Sequence, residues 1–314
     1  MSKKIAMVFP GQGSQYVGMG KTLYESDIEA QKLFAQAEEI TGLPLRKLCF
    51  EGPMEELTQT VNLQPAVTML NMALYRALKR AGVQPDFVAG HSLGEYSALY
   101  AAGVLSEADT LKAVQRRGQL MHREAEKYPG AMAAIVGLPI VQAVELLTPL
   151  TLGGRFALAN YNAPEQLVVS GAKEEIAEAM AMAKKAGVRA IPLAVSGAWH
   201  SPLMEGATAD FTALLTTLTF QAPSIPVLLN VTGQPVSNPA VIRDCMCRQL
   251  TSSVKWTQSI DHMRGGGVER WVEVGPKNVL KGLVRKIIPK DEPFHFHNVE
   301  DPASLATFLE TLAV

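Results

Sequence analysis

Hydrophobic and polar positions follow two alternating patterns along most of the chain. Short apolar runs that end at turn residues, such as residues 5–9 before Pro10-Gly11 and residues 87–90, predict buried strands. Longer stretches with apolar residues every three or four positions, such as 28–40, 66–81 and 107–127, predict amphipathic helices. Because strand-like and helix-like segments alternate, the pattern favours an α/β fold with a largely parallel sheet.

The pattern changes between Gly130 and about residue 195. Four predicted strands and two predicted helices follow in the order βαββαβ, at 131–136, 140–147, 156–160, 166–170, 174–186 and 189–195. This order is typical of a ferredoxin-like unit. The sequence therefore predicts a large α/β-hydrolase-like domain with a mostly parallel sheet, formed by residues 1–128 and 197–314. A ferredoxin-like small subdomain, residues 129–196, is inserted into it.

The large domain resumes after this insertion. Predicted helices at 203–218 and 241–250 alternate with predicted strands at 227–231 and 271–274. A last helix follows Gly275-Pro276. It carries several cations, which we call the late basic cluster: Lys277, Lys281, Arg285, Lys286 and Lys290.

Composition gives no support to several classes of function. A formal net charge of −1 gives no global reason to expect nucleic acid or a membrane surface as a partner. Cys49, Cys245 and Cys247 have neither a disulfide-framework nor a zinc spacing, so we expect no metal and a reducing compartment. No apolar stretch reaches the roughly 20 residues that span a bilayer. We expect a soluble, cytoplasmic protein.

The strongest chemical signal is the pentapeptide Gly90-His91-Ser92-Leu93-Gly94. Gly-x-Ser-x-Gly between a strand and a helix is the nucleophile-elbow pattern, and its glycines avoid clashes in a sharp, strained turn. The turn presents the serine oxygen at a helix N-terminus, where free backbone N–H groups stabilise a developing oxyanion. Ser92 is therefore the candidate nucleophile, and the N–H of Leu93 is a candidate donor.

A serine nucleophile needs a base, and the chain has six histidines. His91 adjoins Ser92, but neighbours at a tight turn point apart, so a structural role is expected for it. His200 lies in a loop of small residues between a predicted strand and helix, where catalytic side chains are common. Position alone favours His200 and leaves His122, His262 and the two late histidines open.

Further motifs add a family resemblance that runs essentially from end to end. The segments are Phe9-Pro10-Gly11-Gln12-Gly13-Ser14-Gln15, Gln64-Pro65-Ala66, the elbow with Glu95, Arg116-Arg117-Gly118, Gly130-Ala131-Met132-Ala133, Asn160-Tyr161-Asn162, Ala198-Trp199-His200-Ser201 and Glu273-Val274-Gly275-Pro276. Together they closely resemble the malonyl-CoA:acyl-carrier-protein transacylases of fatty-acid synthesis and the acyltransferase domains of polyketide synthases.

The resemblance implies a role for each matching position. Ser92 would form an acyl-serine by a ping-pong mechanism, with His200 as general base and then general acid. The backbone carbonyl of Gln249 would orient His200 in place of an aspartate. The backbone N–H groups of Gln12 and Leu93 would form the oxyanion hole.

Two further positions concern the substrate. The resemblance implies that Arg117 pairs with the free malonyl carboxylate, for which a guanidinium with two parallel hydrogen bonds is well suited. Without the resemblance, Arg116 and Arg117 are indistinguishable. Trp199 stands where malonyl-selective relatives often carry phenylalanine. Another bulky ring would still crowd the substrate α-carbon, so we expect malonyl to be preferred over methylmalonyl.

The expected partners follow from the family. They are malonyl-CoA and an acyl carrier protein, both substrates, with no cofactor; we expect a monomer that binds neither nucleic acid nor membrane. Carrier docking on the late basic cluster is possible, although a lysine-rich helix is more often a solvated face. Fatty-acid synthesis is the default pathway, with a trans-acting polyketide or a malonate-utilisation acyltransferase as alternatives.

Rival classes fit less well. An α/β-hydrolase thioesterase or lipase would place an acidic residue between the serine and a late histidine, and no such acid stands out. A dinucleotide-binding protein would need a third glycine where Tyr16 stands after Gly11-Gln12-Gly13. A non-catalytic accessory protein would have no need for Ser92, His200 and Arg117 together.

Overall fold

The structure is a computed structural model that describes residues 3–312. Two sheets with their helices form it. The first part of the chain contains β1 Lys4–Phe9, α1 Lys21–Ser26, α2 Ile28–Thr41, α3 Leu45–Phe50, α4 Met54–Thr58, α5 Thr60–Arg80, β2 Phe87–Gly90, α6 Gly94–Ala101 and α7 Glu107–Lys127. The middle part contains β3 Gly130–Val136, α8 Ile140–Thr151, β4 Phe156–Ala163, β5 Gln166–Ala172, α9 Lys173–Lys185 and β6 Arg189–Pro192.

The last part begins with a short 3₁₀-helix, Pro202–Met204. It continues with α10 Glu205–Thr217, β7 Val227–Leu228, α11 Pro239–Arg248, α12 Trp256–Gly265, β8 Val268–Val274, α13 Lys281–Ile287, β9 His295–Val299 and α14 Pro302–Glu310. Within residues 3–312, none of the helices combines the length and the apolar character needed to cross a membrane.

The larger sheet is parallel throughout, in the order β7-β2-β1-β8-β9. Its central strand β1 is covered by helices on both faces, and Met7, Val8 and Phe9 are fully buried. A continuous apolar run is what such a doubly covered parallel strand requires. The α/β class and the mostly parallel sheet predicted from the sequence are confirmed.

Register brings two loops to the same edge of this sheet. Phe9, the last residue of β1, pairs with Gly90, the last residue of β2. The loop that begins at Pro10 and the turn that contains Ser92 therefore leave the sheet side by side. The carboxyl ends of parallel strands are where ligands bind in open α/β sheets.

The middle part forms a separate antiparallel sheet in the order β4-β5-β3-β6. It has its own apolar cluster, in which Ile135 and Phe156 on the strands pack with Leu147 on α8 and Ile176 on α9. The predicted sequence of strands and helices between residues 130 and 195 is confirmed, although β6 ends at Pro192 rather than at 195.

Other boundaries differ for identifiable reasons. Helix α5 begins at Thr60, six positions before the predicted start, with Pro65 inside it. Prolines normally break a helix interior, so the sequence favoured a start after Pro65. Strand β9 was missed because it is an edge strand with a mostly half-exposed, polar sequence. Helix α12 was also missed, although Trp256, Ile260 and Met263 have helical spacing.

Candidate active site

The turn between β2 and α6 has the geometry of a nucleophile elbow. Ser92 has a φ of 53°, in the left-handed region that L-amino acids rarely adopt. A Cβ on Gly90 would lie 1.9 Å from the carbonyl carbon of Gly94, and one on Gly94 would lie 2.0 Å from the carbonyl oxygen of Phe9. Both flanking glycines are sterically required, as the pentapeptide predicted.

His200 lies directly beside this serine. Its Nε2 is 2.7 Å from Ser92 Oγ, and its Nδ1 is 3.1 Å from the carbonyl oxygen of Gln249 and 3.0 Å from that of Ser252. Because a carbonyl only accepts, Nδ1 carries the proton, and the bare Nε2 accepts from the serine hydroxyl. The structure thus brings together three sequence-predicted residues and adds the carbonyl of Ser252, which the sequence did not indicate.

The surroundings of His200 keep its imidazole neutral. Burial and the nearby Arg117 cation lower the pKa of His200 to about 3, and the two carbonyl hydrogen bonds only partly oppose this. A neutral imidazole is the form that accepts a proton. At neutral pH, His200 is therefore in the form that can act as a base.

Arg117 lies on α7 and reaches the same point. The residue is 1% exposed, and its Nη2 donates to Ser92 Oγ at 3.2 Å. Its Nε donates to Gln249 Oε1 at 3.0 Å and its Nη1 to Gln64 Oε1 at 2.9 Å. Among residues 3–312 these acceptors are all neutral. Arg116 instead has a side chain 42% exposed and lies 4.0 Å from Asp210, so the structure distinguishes the two arginines.

Two glutamine side chains make contacts with Arg117 that the sequence did not reveal. Gln64 accepts a hydrogen bond from Arg117, and its only sequence signal was the shared segment Gln64-Pro65-Ala66. Gln249 was singled out for its backbone carbonyl, but its side chain also accepts from Arg117 and, at 3.1 Å, from the hydroxyl of Tyr96. The ring of Tyr96 lies 5.6 Å from the Arg117 guanidinium carbon, a cation–π contact.

The two candidate oxyanion donors lie at the same cavity. Gln12 and Leu93 both line it, and a Cβ on Gly11 would come within 2.8 Å of the His91 carbonyl oxygen. The loop after β1 is thus packed directly on the elbow. Within the described residues, neither the N–H of Gln12 nor that of Leu93 donates to another backbone carbonyl. Leu93 precedes the first turn of α6, where backbone N–H groups have no helical acceptor.

The remaining histidines lie elsewhere. His91 turns away from Ser92, with its Nε2 2.7 Å from Asn162 Oδ1 and its ring 5.3 Å from that of Trp256. His122 lies 3.5 Å from Glu126 on the surface of α7. His262 is on α12, and the late pair is on β9. Geometry therefore selects His200 as the partner of Ser92.

The cavity around Ser92 is small, with a volume of about 120 Å³. Residues of both the large and the small unit line it: Met132 and Asn160 belong to the antiparallel sheet of the small unit, and Met121 belongs to α7 of the large unit. Trp199 is 5% exposed and forms part of the wall. Larger grooves exist on the surface, such as one lined by the ion-paired Arg76 and Glu107, but the paired serine and histidine lie in this one. It has room for a small acyl group.

Residues 3–312 contain no group of three or more His, Cys, Asp or Glu side chains arranged to hold a metal ion. The groups that converge on the cavity are a hydroxyl, a neutral imidazole, a guanidinium and backbone N–H donors. This set is suited to acyl transfer through a serine ester.

Comparison with known proteins also indicates acyl transfer. Residues 6–301 match the family model described as acyl transferase domain. The malonyl CoA-acyl carrier protein transacylase of Bacillus subtilis is 41% identical over 311 residues, which cover 98% of this chain and 97% of that protein.

Solved structures agree. An acyl carrier protein S-malonyltransferase from Vibrio cholerae has a TM-score of 0.91 at 40% identity, covering 97% of this chain and 99% of that one. A malonyl-transacylase solved in complex with its type II polyketide synthase acyl-carrier protein has a TM-score of 0.91 at 37% identity, covering 98% and 99%. With its Ser92–His200 pair in an acyl transferase fold, this chain belongs to the malonyl CoA-acyl carrier protein transacylase family.

Proposed function

We propose that this protein transfers the malonyl group from malonyl-CoA to the phosphopantetheine thiol of acyl carrier protein in fatty-acid biosynthesis. The relatives that match over nearly their whole length are named malonyl CoA-acyl carrier protein transacylase. The observation that carries the proposal is the buried Arg117, whose hydrogen-bond acceptors in residues 3–312 are neutral and which lies 3.2 Å from Ser92 Oγ. A buried cation whose hydrogen bonds all go to neutral groups is costly, so an anionic ligand is a natural partner.

The first half-reaction loads the enzyme. His200 Nε2 takes the hydroxyl proton as Ser92 Oγ attacks the thioester carbonyl. The N–H groups of Gln12 and Leu93 stabilise the oxyanion. As the tetrahedral intermediate collapses, the C–S bond breaks and His200 returns the proton to the coenzyme A thiolate. Malonyl-Ser92 remains.

The second half-reaction runs the same steps with the carrier thiol. His200 takes the thiol proton, the thiolate attacks the ester carbonyl of malonyl-Ser92, and Ser92 recovers the proton as the C–O bond breaks. The carbonyl oxygens of Gln249 and Ser252 hold the Nδ1–H throughout, which keeps Nε2 facing the reacting atoms.

Arg117 provides the selectivity for an acyl group that ends in a carboxylate. Gln249 and Gln64 hold its Nε and Nη1, which leaves Nη2 beside the serine. The malonyl carboxylate would replace neutral contacts with a charge-assisted hydrogen bond. A plain acyl group, such as acetyl, offers no such gain.

A trans-acting malonyl transferase for polyketide synthesis is the second candidate. It is supported by the likeness to the type II polyketide synthase transacylase. The chemistry at Ser92 is the same in both, and the two differ in the carrier protein that accepts the malonyl group.

We further propose that the small unit is ferredoxin-like and comprises residues 129–196, and that the remainder is one α/β-hydrolase-like domain. The order β4-β5-β3-β6, with two helices in a βαββαβ sequence, supports the first statement. The elbow at the edge of a parallel sheet supports the second.

Carrier docking is proposed at the late basic cluster. Arg285, Lys286 and Lys290 of that cluster and Arg189 of β6 line one groove of about 650 Å³. Acyl carrier proteins are acidic in this family's pathway, so the two surfaces are complementary in charge.

The Lys281→Glu/Lys286→Glu variant should raise the KM for carrier protein and leave that for malonyl-CoA unchanged. Lys21→Glu/Lys79→Glu, with the same change in charge, is the control; an unchanged carrier KM in the first variant would contradict this docking site.

The central test is a competition among acyl-CoAs and carrier proteins, followed by mass spectrometry of the Ser92 peptide. We expect a malonyl adduct on Ser92 that passes to the carrier thiol rather than to water. The Ser92→Ala variant should show neither adduct nor transfer. Transfer at the wild-type rate by Ser92→Ala, or release mainly as free malonate, would overturn the proposal.

A further inference from the structure

The buried side-chain amide of Asn230 makes hydrogen bonds to the backbone around Ser92. The Ser92 N–H donates to Asn230 Oδ1 at 2.7 Å, and Asn230 Nδ2 donates to the carbonyl oxygen of Gly90 at 2.7 Å. Asn230 follows β7 and is 1% exposed. Its side chain therefore spans the strained turn and satisfies one polar group on each side of it.

A buried carboxyl supports this amide. Glu95, fully buried in the first turn of α6, accepts from the Asn230 backbone N–H at 2.8 Å through Oε1. Through Oε2 it accepts from Gln249 Nε2, which also donates to the Ser92 carbonyl oxygen at 3.1 Å. Glu95 thus contacts both of the residues whose side chains contact the Ser92 main chain: Asn230 through its backbone N–H and Gln249 through its side chain.

These contacts determine the direction of the oxyanion donor. The Ser92 carbonyl and the Leu93 N–H belong to one planar trans peptide, so they point in opposite directions. Gln249 holds the carbonyl end, so the Leu93 N–H points away from Gln249. Leu93 itself lines the cavity. Glu95 and Asn230 do not line that cavity, and the mechanism above uses neither.

A carboxyl in this position has no evident purpose in packing. Burial raises the pKa of Glu95 to about 7, against the effect of its two hydrogen bonds and of Arg117. A left-handed serine persists only when its surroundings determine its conformation. The cost of burying Glu95 is explained if the group orders the turn that presents Ser92.

We propose that Asn230 and Glu95 are positioning residues for the nucleophile. Asn230 holds the left-handed backbone of Ser92, and Glu95 holds Asn230 and Gln249 so that Ser92 Oγ and the Leu93 N–H keep their places. This inference rests on the proposed function, because it assigns a role in the acylation of Ser92.

Two nearly isosteric substitutions test it. Asn230→Asp keeps an acceptor for the Ser92 N–H but sets an oxygen against the Gly90 carbonyl. Glu95→Gln sets an NH₂ group against one of its two donors. Because a misplacement of about 1 Å can cost ~100-fold in rate, single-turnover formation of malonyl-Ser92 should fall about 10- to 100-fold in each variant. The KM for malonyl-CoA should stay near the wild-type value in Asn230→Asp, which leaves the contacts of Arg117 intact.

The matched control is Glu124→Gln, another buried glutamate, which lies on α7 beside Arg123. It should acylate at the wild-type rate. A second readout is the rate at which a fluorophosphonate labels Ser92 without any acyl-CoA, expressed per folded molecule. It should fall in parallel with acylation in both positioning variants. If one variant is too unstable to purify, the other, which disturbs a different contact, supplies the same comparison.

A merely structural role has a different signature. Lower melting temperatures with unchanged acylation and labelling rates per folded molecule would overturn the inference. That outcome leaves the proposed function intact, provided that the wild type forms malonyl-Ser92 and Ser92→Ala does not. Absence of malonyl-Ser92 in the wild type would instead contradict the proposed function.

Discussion

Arg117 donates from Nη2 to Ser92 Oγ at 3.2 Å, so the buried cation and the candidate nucleophile share one small cavity. The same cation lowers the pKa of His200, which is hydrogen-bonded to that oxygen. A single side chain on α7 therefore bears on both the choice of acyl group and the protonation of the base.

Arg117→Gln should weaken malonyl loading far more than acetyl loading. Loss of a charged hydrogen bond of about 1.5–3 kcal/mol lowers kcat/KM for malonyl-CoA roughly 10- to 150-fold. Acetyl-CoA lacks the carboxylate and should lose less. The measurement is kcat/KM for both substrates, with Arg116→Gln, one position earlier on the same helix, as the control. Equal losses for the two acyl groups would contradict the proposed pairing.

As pH is lowered, the reactivity of Ser92 should begin to drop only well below the ordinary histidine pKa of about 6.5. His200 accepts a proton only when neutral, and its pKa is lowered to about 3, so the rate of fluorophosphonate labelling should stay constant as pH falls through 6. In Arg117→Gln a nearby cation is gone, so the pKa of His200 rises and the labelling rate should drop at a higher pH than in the wild type. If the rate drops at the same pH in both proteins, the Arg117 charge does not act on this base.

Trp199→Ala should relax the choice between malonyl and methylmalonyl. Pockets of this kind discriminate one methyl group by about 1–3 kcal/mol, and the wild type should prefer malonyl by that margin. Trp199→Phe is the control, because the indole Nε1 has no hydrogen-bond partner among the described residues and a ring is retained. Competition between the two acyl-CoAs measures the ratio. Equal loading of both by the wild type would refute the selectivity.

Gly94→Ala should damage both folding and activity. The new Cβ would lie 2.0 Å from the Phe9 carbonyl oxygen, and overpacking of this kind costs about 1–3 kcal/mol. Gly265→Ala on α12 meets no atom within 4 Å and should cause no loss. Thermal melting and acylation rates compare the two. A Gly94→Ala variant as stable and active as the Gly265→Ala variant would mean that the elbow tolerates a side chain.

Much of the fold follows from local pattern. The strand at Phe87–Gly90, the helix at Glu107–Lys127 and the βαββαβ order of the small unit were all predicted, because burial imposes a periodicity on neighbouring residues. Strand β9 was not predicted, since an edge strand with one half-exposed face carries little periodic signal. The start of α5 was misjudged because Pro65 is tolerated inside that helix.

The elbow could be predicted from the sequence alone, since its serine and two glycines lie within five consecutive positions, although the contact that excludes a side chain at Gly94 is with Phe9 on β1. The remainder of the site was decided by the tertiary structure. His200 lies 108 positions from Ser92, and Gln249 lies 157 positions away. His200 lies in the loop after β6 of the antiparallel sheet, and Gln249 lies at the end of α11. Only the packing of these elements against the elbow brings them to Ser92, and no local pattern encodes that packing. Asn230 and Glu95 gave no signal as a pair for the same reason: their contact exists only once the loop after β7 lies against the first turn of α6.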